Sequence, residues 1–434
     1  MVPRAREARP SAGRSSSGAA ATTALVLLFS AGYLPAYLLP TVVGRLVGSF
    51  GLTTPQAGAV GSALLLASAS AGLLLAGRVR RSGPVRLARA GVGLLALGGT
   101  VAALSGDLPL LLAGCLLTGL GAGTATAVAS TGIAATVDPQ RGSALGLLTT
   151  SAVAAALFLA LPRLGGGHGL PFAAVAGWAL LAGLTTGRLA DRPAVGPLPK
   201  GMEELGSPGS PVRSGLPRKA AGCVLAGGML LWSMGQNALW GVSGQIGTAR
   251  VGLDEQTLGL VFAAALGGGL LGVAVASAMG SRFGRALPIG AGTAVIALCM
   301  VLAGGAGSVL PFAVGEVLWN TCYPLVLSHL IALAAGLDRA GRWAVLAGAG
   351  SSLGVAAGPV AGAALASAAG YPGMGLALGG LLAVVGVPLV LVARRGAAPT
   401  AGRVFVPAQR SVPPGRATPS RGGAVPSEPV GAGR

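Results

Sequence analysis

Glu316 points most directly to chemistry, because it is the acid placed well inside a long apolar run of this 434-residue chain. A carboxylate loses its hydration there, so the protonated form is favoured and the group can take up and release protons. The alternative is a structural carboxyl, protonated throughout or paired with an inward-facing group such as Gln236 or Arg45. The first interpretation predicts a proton-coupled process that Glu316→Gln abolishes without unfolding the protein.

Polar and aromatic side chains recur at helical spacing in three apolar segments, so each set shares one helix face. A lipid-facing amide is costly, and aromatic rings with a few polar groups suit a largely apolar ligand. These faces therefore predict a cavity; helix packing or anchoring at the membrane surface is the alternative. The residues are Ser30, Tyr33, Tyr37 and Thr41; Trp232, Gln236, Asn237 and Trp240; and Glu316, Asn320 and Tyr323.

No spacing in the chain indicates a metal, a cofactor or enzymatic catalysis. The four cysteines lie singly in apolar runs, and His168 and His329 are far apart. The glycine-rich loop that binds nucleotide phosphates, Gly-x-x-x-x-Gly-Lys-[Ser/Thr], does not occur, which argues against transport driven by ATP. We predict no cofactor, no metal and no enzyme activity.

The elements that must position these residues are membrane-spanning helices. The chain is 53% hydrophobic and only 9% charged, whereas a soluble domain is nearer a quarter charged. Roughly 20 apolar residues cross a bilayer, which predicts about twelve helices. We place them at 22–46, 55–78, 84–105, 108–136, 143–162, 170–188, 221–248, 256–280, 286–304, 309–335, 343–368 and 373–393.

Two polar stretches divide the chain. Residues 191–219 are rich in Pro, Gly and charge, and residues 394–434 carry Arg, Pro, Gly and Ser without apolar clusters. The predicted organisation is an N-terminal segment, six helices, a linker, six helices and a disordered basic tail. The corresponding ranges are 1–21, 22–190, 191–219, 220–393 and 394–434.

The basic residues fall almost entirely on one side of this arrangement. With a cytoplasmic N-terminus, 27 of the 30 Lys and Arg lie on the cytoplasmic side, and Arg45, Arg163 and Arg250 lie opposite. Cytoplasmic loops are enriched in these residues. The distribution predicts a plasma-membrane protein with both termini cytoplasmic, and it explains the net charge of +19 without nucleic acid.

The two sets of six helices are similar in sequence. Gly51-Leu-Thr-Thr-Pro-Gln-Ala-Gly-Ala-Val, before the second helix, corresponds to Gly252-Leu-Asp-Glu-Gln-Thr-Leu-Gly-Leu-Val, before the eighth, at an offset of 201. Arg81-Ser-Gly corresponds to Arg282-Phe-Gly at the same offset. Val137-Asp corresponds to Leu337-Asp at an offset of 200. Six helices per repeat keep both halves in one orientation, which suits a transporter with its site between the repeats.

These features resemble the major facilitator superfamily over about residues 20–395. The family's loop pattern is Gly-x-x-x-Asp-Arg-x-Gly-Arg-Arg; Arg81 and Gly83 match it, with Arg80 at the Asp position. Residues 280–285, Gly-Ser-Arg-Phe-Gly-Arg, match it again, with Ser281 replacing Asp. Gly358-Pro359 resembles bacterial drug and metabolite exporters of this superfamily. The resemblance implies its twelve-helix fold, with helices 1, 4, 7 and 10 around a central cavity.

Acidic residues that follow the fourth and tenth helices are candidates for a gate. Asp138 is predicted to pair with Arg81 or Arg86, and Asp338 with Arg282 or Arg285, holding the cytoplasmic side closed; solvated loop charge is the alternative. The gating candidates are Arg81, Gly83, Asp138, Arg282, Gly284, Arg285 and Asp338.

A secondary transporter is the function that these patterns favour. Export of a small hydrophobic or amphiphilic molecule is preferred, because Glu316 is the clear intramembrane charge, and proton coupling through it is expected. Uptake of a small metabolite is the alternative within this class, and a membrane sensor or structural protein the alternative outside it. The expected partners are the bilayer, the cargo and protons, with the chain functional as a monomer.

Overall fold

The computed structural model describes residues 12–165, 167–189, 218–280, 282–337 and 342–396, and in these ranges the chain is helical without strands. All the helices belong to one compact unit. They are α1 (Ala12–Tyr37), α2 (Leu39–Phe50), α3 (Thr54–Ala76), α4 (Val79–Ser82), α5 (Pro84–Leu104), α6 (Leu108–Ala134), α7 (Pro139–Leu164), α8 (Gly169–Gly183), α9 (Arg218–Gln245), α10 (Glu255–Met279), α11 (Ala286–Gly305), α12 (Val309–Ala335) and α13 (Arg342–Gly396).

Ten of the described helices are long and apolar enough to cross a membrane. One of these is α13, whose apolar stretch runs over 54 residues. Gly370, at a φ of 69°, bends it into two arms that can each cross. The 28 residues of α9 also suffice in length, but this helix carries four buried polar side chains, more than any other described helix. With α9 and the second arm of α13, the described helices provide the twelve predicted crossings.

The first predicted crossing is two helices rather than one, because the chain is interrupted at Leu38 between α1 and α2. Pro40 lacks the N–H that would bond to the carbonyl of Ala36 in a continuous helix. That carbonyl instead accepts a hydrogen bond from Trp240 Nε1 of α9, at 3.1 Å. The interruption therefore creates a contact between the two halves of the chain.

Helix starts confirm the internal repeat. Gly51 and Gly252 both have positive φ, at 60° and 76°, and the residue two places later caps the following helix. The Thr53 hydroxyl accepts a hydrogen bond from the amide of Gln56, and the Asp254 carboxylate accepts from the amides that begin α10. The loops after α3 and α10 likewise contain Gly83 and Gly284 with positive φ. Equivalent turns thus recur at the offset of 201.

Glycines allow neighbouring helices to touch backbone to backbone. A Cβ on Gly119 of α6 would overlap the carbonyl oxygen of Leu64 in α3, and one on Gly272 of α10 would overlap that of Thr321 in α12. Since lipid gives no hydrophobic drive for helix association, such close van der Waals contact holds membrane helices together. The high glycine content is therefore used in packing in both halves.

The helix bundle has two ends, which we name after one arginine each. At the Arg45 end lie the last turns of α2, α7 and α9 and the starts of α3 and α10. At the Arg81 end lie α4, the last turns of α3, α6 and α12, and the starts of α7 and α11. The N-terminal half, α1 to α8, meets the C-terminal half, α9 to α13, mainly near the Arg45 end.

Candidate functional site

Glu316 lies in α12 with no part of its side chain exposed. Ser243 of α9 donates a hydrogen bond to its Oε1 at 2.6 Å. Its Oε2 has no hydrogen-bond partner among the described residues. The alternative pairing of Glu316 with Gln236 or Arg45 is not the arrangement found, since its partner is Ser243. A carboxyl held at one oxygen and unpaired at the other is costly as a charged group in this setting.

A second contact joins α9 to α12 further from the Arg45 end than the contact between Ser243 and Glu316. Trp319 Nε1 donates to Gln236 Oε1 at 2.5 Å, and both side chains are buried. Gln236 Nε2 has no partner among the described residues. The Trp232 ring stacks on that of Tyr323, with 5.3 Å between centroids. The faces predicted from the spacing of α9 and α12 therefore meet each other, and Trp319, which the spacing argument did not include, completes them.

Aromatic rings from three helices pack against one another within the bundle, next to Trp319. Phe158 of α7, Trp240 of α9 and Phe262 of α10 lie within 5.1–6.3 Å of one another, centroid to centroid. Trp240 also contacts Trp319 at 5.7 Å. We call Phe158, Trp240 and Phe262 the aromatic layer. It includes residues from both halves, so the halves are in contact across the bundle at this depth.

A cavity of about 320 Å³ lies beyond the aromatic layer, towards the Arg45 end. Phe158 and Phe262 form part of its wall, and Arg45, Glu255 and Thr41 contribute polar groups. The interruption at Leu38 places Thr41 in α2, on this cavity, rather than on one continuous face with Tyr33. Ser30, the other predicted member of that face, is buried and accepts a hydrogen bond from Trp178 Nε1 at 3.1 Å.

The sequence did not reveal the ion pair in this cavity. Arg45 Nη2 lies 3.0 Å from Glu255 Oε2, and this contact is the salt bridge found among the described residues. The two residues are 210 positions apart. One signal in the sequence could have indicated the pair. Arg45 is one of three basic residues on the sparsely charged side, and an isolated charge near an apolar run needs a partner.

The remaining cavity candidates occupy varied surroundings. Tyr33 and Tyr37 of α1 are half-buried, and the Tyr33 ring lies 4.6 Å from that of Phe29, centroid to centroid. Asn237 and Asn320 are also half-buried, and each donates to a carbonyl of its own helix at 3.0 Å. Asn237 packs on the backbone of Gly358 in α13, where no Cβ would fit without displacement. Their exposure to cargo remains a prediction.

At the Arg81 end, Asp138 is exposed and caps α7 by accepting from the amide of Arg141 at 2.9 Å. Arg81 and Arg282 are exposed, and Arg285 is half-buried against Gly336. No salt bridge joins the gating candidates within the described ranges. Asp338 lies outside them, as do residues 190–217 of the linker region and residues 397–434 of the tail. The gating pairs therefore stay a prediction.

The remaining residue types that could bind a ligand are His and Cys. His329 is buried, and its Nδ1 lies 2.8 Å from the carbonyl oxygen of Leu325 in its own helix. Cys115 and Cys299 are buried thiols, without a disulfide. The described part of the chain contains no group of three His, Cys, Asp or Glu placed to bind a metal.

Comparison with solved structures shows the same fold in several transporters. A proton-coupled D-xylose symporter covers 85% of this chain and 96% of its own length, with a TM-score of 0.64 and 14% identity. A POT family transporter in complex with 5-aminolevulinic acid covers 87% and 96%, at 0.68 and 16%. The human organic anion transporter MFSD10 (TETRAN) covers 86% and 99%, at 0.60 and 16%. At these identities the likeness establishes the fold alone.

No curated protein of established function matches the sequence. The sequence profile described as Major Facilitator Superfamily matches residues 20–335, which is most of the chain and includes α2 to α11 and all of α12. With the twelve crossings, the repeated turns and the shared fold, this match shows that the chain belongs to the Major Facilitator Superfamily of membrane transporters.

Proposed function

We propose that this chain exports a small hydrophobic or amphiphilic molecule by alternating access, driven by protons that Glu316 carries. It acts in the cell membrane as a monomer. The observation that carries the proposal is the Glu316 carboxyl, fully buried in a membrane helix with one oxygen on Ser243 and the other unpaired among the described residues.

Orientation follows from charge. The Arg81 end carries the exposed arginines of the loop between α3 and α5, whereas the Arg45 end carries three basic residues in all. Basic loops favour the cytoplasm, so we assign the Arg81 end to the cytoplasm and the Arg45 end to the outside. The aromatic layer and the Arg45–Glu255 pair then close the outer side, which corresponds to a state that faces inward.

Ser243 allows Glu316 to change its protonation state without breaking their contact. The Ser243 hydroxyl lies 2.9 Å from the carbonyl oxygen of Leu239 and 2.6 Å from Glu316 Oε1, but it has one proton to donate. When Glu316 is ionised, Ser243 donates to it. When Glu316 is protonated, its O–H can donate to Ser243, which donates to Leu239. Both states are thus accommodated by rotation of a single hydroxyl.

We infer the chemistry of the cargo from the residues that would line a site at Glu316 once the halves separate there. Trp232, Trp319 and Tyr323 present large amphipathic rings around two amide groups, and Glu316 is the ionisable acid at this depth in the described helices. Such a site favours a molecule with a broad apolar surface and few polar groups. A polar nutrient would leave many of its hydrogen bonds unmade here, which is why export of an amphiphile is preferred to uptake of a metabolite.

The test is flux into and out of proteoliposomes with an imposed pH gradient. Three fluorescent probes cover the charge types: ethidium, Nile red and anilinonaphthalene sulfonate. We expect gradient-driven movement of at least one probe, and Glu316→Gln is expected to reduce it to the level of protein-free vesicles. The matched control is Asp107→Asn, which removes a carboxylate from the N-cap of α6 while leaving a side chain that caps equally well.

Two results would count against the proposal. Full gradient-driven flux in Glu316→Gln would remove the proton role, provided that the variant shows wild-type melting. The orientation of the protein in the vesicles is determined from protease access to the tail. Movement of probe only away from the acidified side would then indicate uptake instead of export.

A further inference from the structure

Arg45 is the positively charged side chain that the bundle buries most deeply within its described residues, at 8% exposure. Its guanidinium donates to three carbonyl oxygens: Leu161 at 3.1 Å, Gly165 at 3.4 Å and Gly167 at 3.2 Å. All three belong to the C-terminal end of α7 and the loop after it. The last carbonyls of a helix lack partners within the helix and carry partial negative charge, so Arg45 caps α7.

Glu255 lies at the N-terminal end of a helix, whereas Arg45 caps a C-terminal end. It is the first residue of α10, where the helix dipole favours a negative charge, and 57% of its side chain is exposed. The 3.0 Å contact between Arg45 Nη2 and Glu255 Oε2 therefore joins the C-terminal end of α7 to the N-terminal end of α10. These helices belong to different halves of the chain, and they pack directly where Gly259 meets Phe158.

The pair is not a by-product of the repeated scaffold. At the offset of 201, Arg45 corresponds to Ile246 and Glu255 corresponds to Thr54. Neither equivalent carries charge, although the surrounding turns are conserved between the halves. The ion pair is thus a single bridge added to a symmetric frame, at the end where the halves meet.

We infer that Arg45 and Glu255 form an outer latch that holds the Arg45 end closed and sets the balance between inward- and outward-facing states. The inference rests on the proposed alternating access. The latch is asymmetric: Arg45 keeps its three carbonyl contacts when the halves separate, because all three lie in its own half. Glu255 is the partner that leaves, since its exposed carboxylate can be hydrated at once. A charge swap is therefore not expected to restore the latch, because a carboxylate at position 45 would face three carbonyl oxygens.

The separation of the halves can be measured without any cargo. Leu164 at the end of α7 and Leu310 at the start of α12 are 69% and 73% exposed, one in each half. Spin labels on Leu164→Cys and Leu310→Cys, in a Cys223→Ser background that removes the exposed native thiol, report this distance in reconstituted membranes. We expect Glu255→Gln to raise the ratio of the longer-distance to the shorter-distance population about fivefold to tenfold. Glu255→Asp is expected to give a smaller rise.

The matched control is Asp254→Asn, which removes the neighbouring carboxylate but keeps the cap of α10 and leaves Arg45 paired. It should not change the distances. High salt gives a second measurement that a merely structural role of Glu255 would not affect. Salt screens an exposed ion pair, so high salt should lengthen the distance between the labels in the wild type but not in Glu255→Gln. Unchanged distances in Glu255→Gln, or an equal salt response in both proteins, would overturn the latch.

Failure of the latch and failure of the transport proposal are separable. If Glu255→Gln shifts the distances while no probe moves in the flux assay, the latch stands and the proposed export falls. If Glu316-dependent flux is present while the distances and the rate are the same in wild type and Glu255→Gln, the export stands and the latch falls.

Discussion

Each end of the helix bundle has turns that recur in both halves of the chain, but the two ends are held differently. At the Arg45 end the halves are joined by the ion pair, by the aromatic layer and by glycine contacts such as Gly259 on Phe158. At the Arg81 end, Arg81, Arg282 and Asp138 form no salt bridge among the described residues. A transporter that opens one side at a time needs its two ends to be held by different contacts in any one state. The contacts at the closed Arg45 end are therefore the ones that have to break when this end opens.

The strongest test of this difference is a substitution that forces the two halves apart at the closed Arg45 end. A Cβ at position 259 would overlap the carbonyl oxygen of Phe158 in the other half. Gly259→Ala should therefore penalise the closed Arg45 end by about 1–3 kcal/mol, which corresponds to roughly a 5- to 150-fold shift towards the outward-facing state. The distance between labels at Leu164 and Leu310 should lengthen accordingly.

Gly267→Ala is the matched control for this substitution. Gly267 lies in the same helix, and a Cβ there meets no atom within 4 Å. Both changes gain the same helix propensity, about 1 kcal/mol, so the difference between them isolates the contact with Phe158. Equal distance distributions in the two variants would mean that α7 and α10 do not hold the outer end closed.

A smaller effect is expected at the other end, where the predicted gate pairs lie on the surface. Asp138→Asn keeps the cap of α7 but removes the charge that is predicted to meet Arg81 or Arg86 when this end closes. Exposed pairs contribute about 0.2–1 kcal/mol, so the shift towards the inward-facing state should stay below about fivefold. Asp138→Arg should act in the same direction, and Arg81→Asp in that background should reverse it. If no such double variant recovers flux, Asp138 is only a helix cap.

The sequence predicted most of the fold, because the signals that define it are local. Apolar runs fix the crossings, and helix starts are marked by Thr53 and Asp254 with the turns before them. Equivalent signals at a constant offset indicated the repeat. One boundary was missed, the interruption at Leu38, because a short apolar connection looks like helix in hydropathy. The bend at Gly370 lies in the connection that was predicted between 343–368 and 373–393.

The contacts of the site were less predictable, because they depend on how separate helices rotate and approach. Spacing placed Glu316 and Gln236 on inward faces, but it could not show that Ser243 would meet the carboxyl or that Trp319 would meet the amide. The Arg45–Glu255 pair joins residues 210 positions apart and had no local signature at either partner. Which residue pairs with which is a property of tertiary packing rather than of periodicity.

The smallest predicted effect compares the two equivalent helix caps at the Arg45 end, Thr53 and Asp254. Hydrogen bonds from the side chain and the amide of Thr257 hold the pKa of Asp254 below its usual range, whereas the hydroxyl of Thr53 does not titrate in acid. The Asp254 cap therefore contributes to stability above the pKa that this side chain has in the unfolded chain, and the contribution is lost as the pH falls through the lowered value. Asn caps at every pH, so Asp254→Asn should melt close to the wild type at neutral pH and above it in acid. The measurement is the melting temperature of both proteins in detergent across this range; a constant difference between them would show that the Asp254 cap does not depend on its charge.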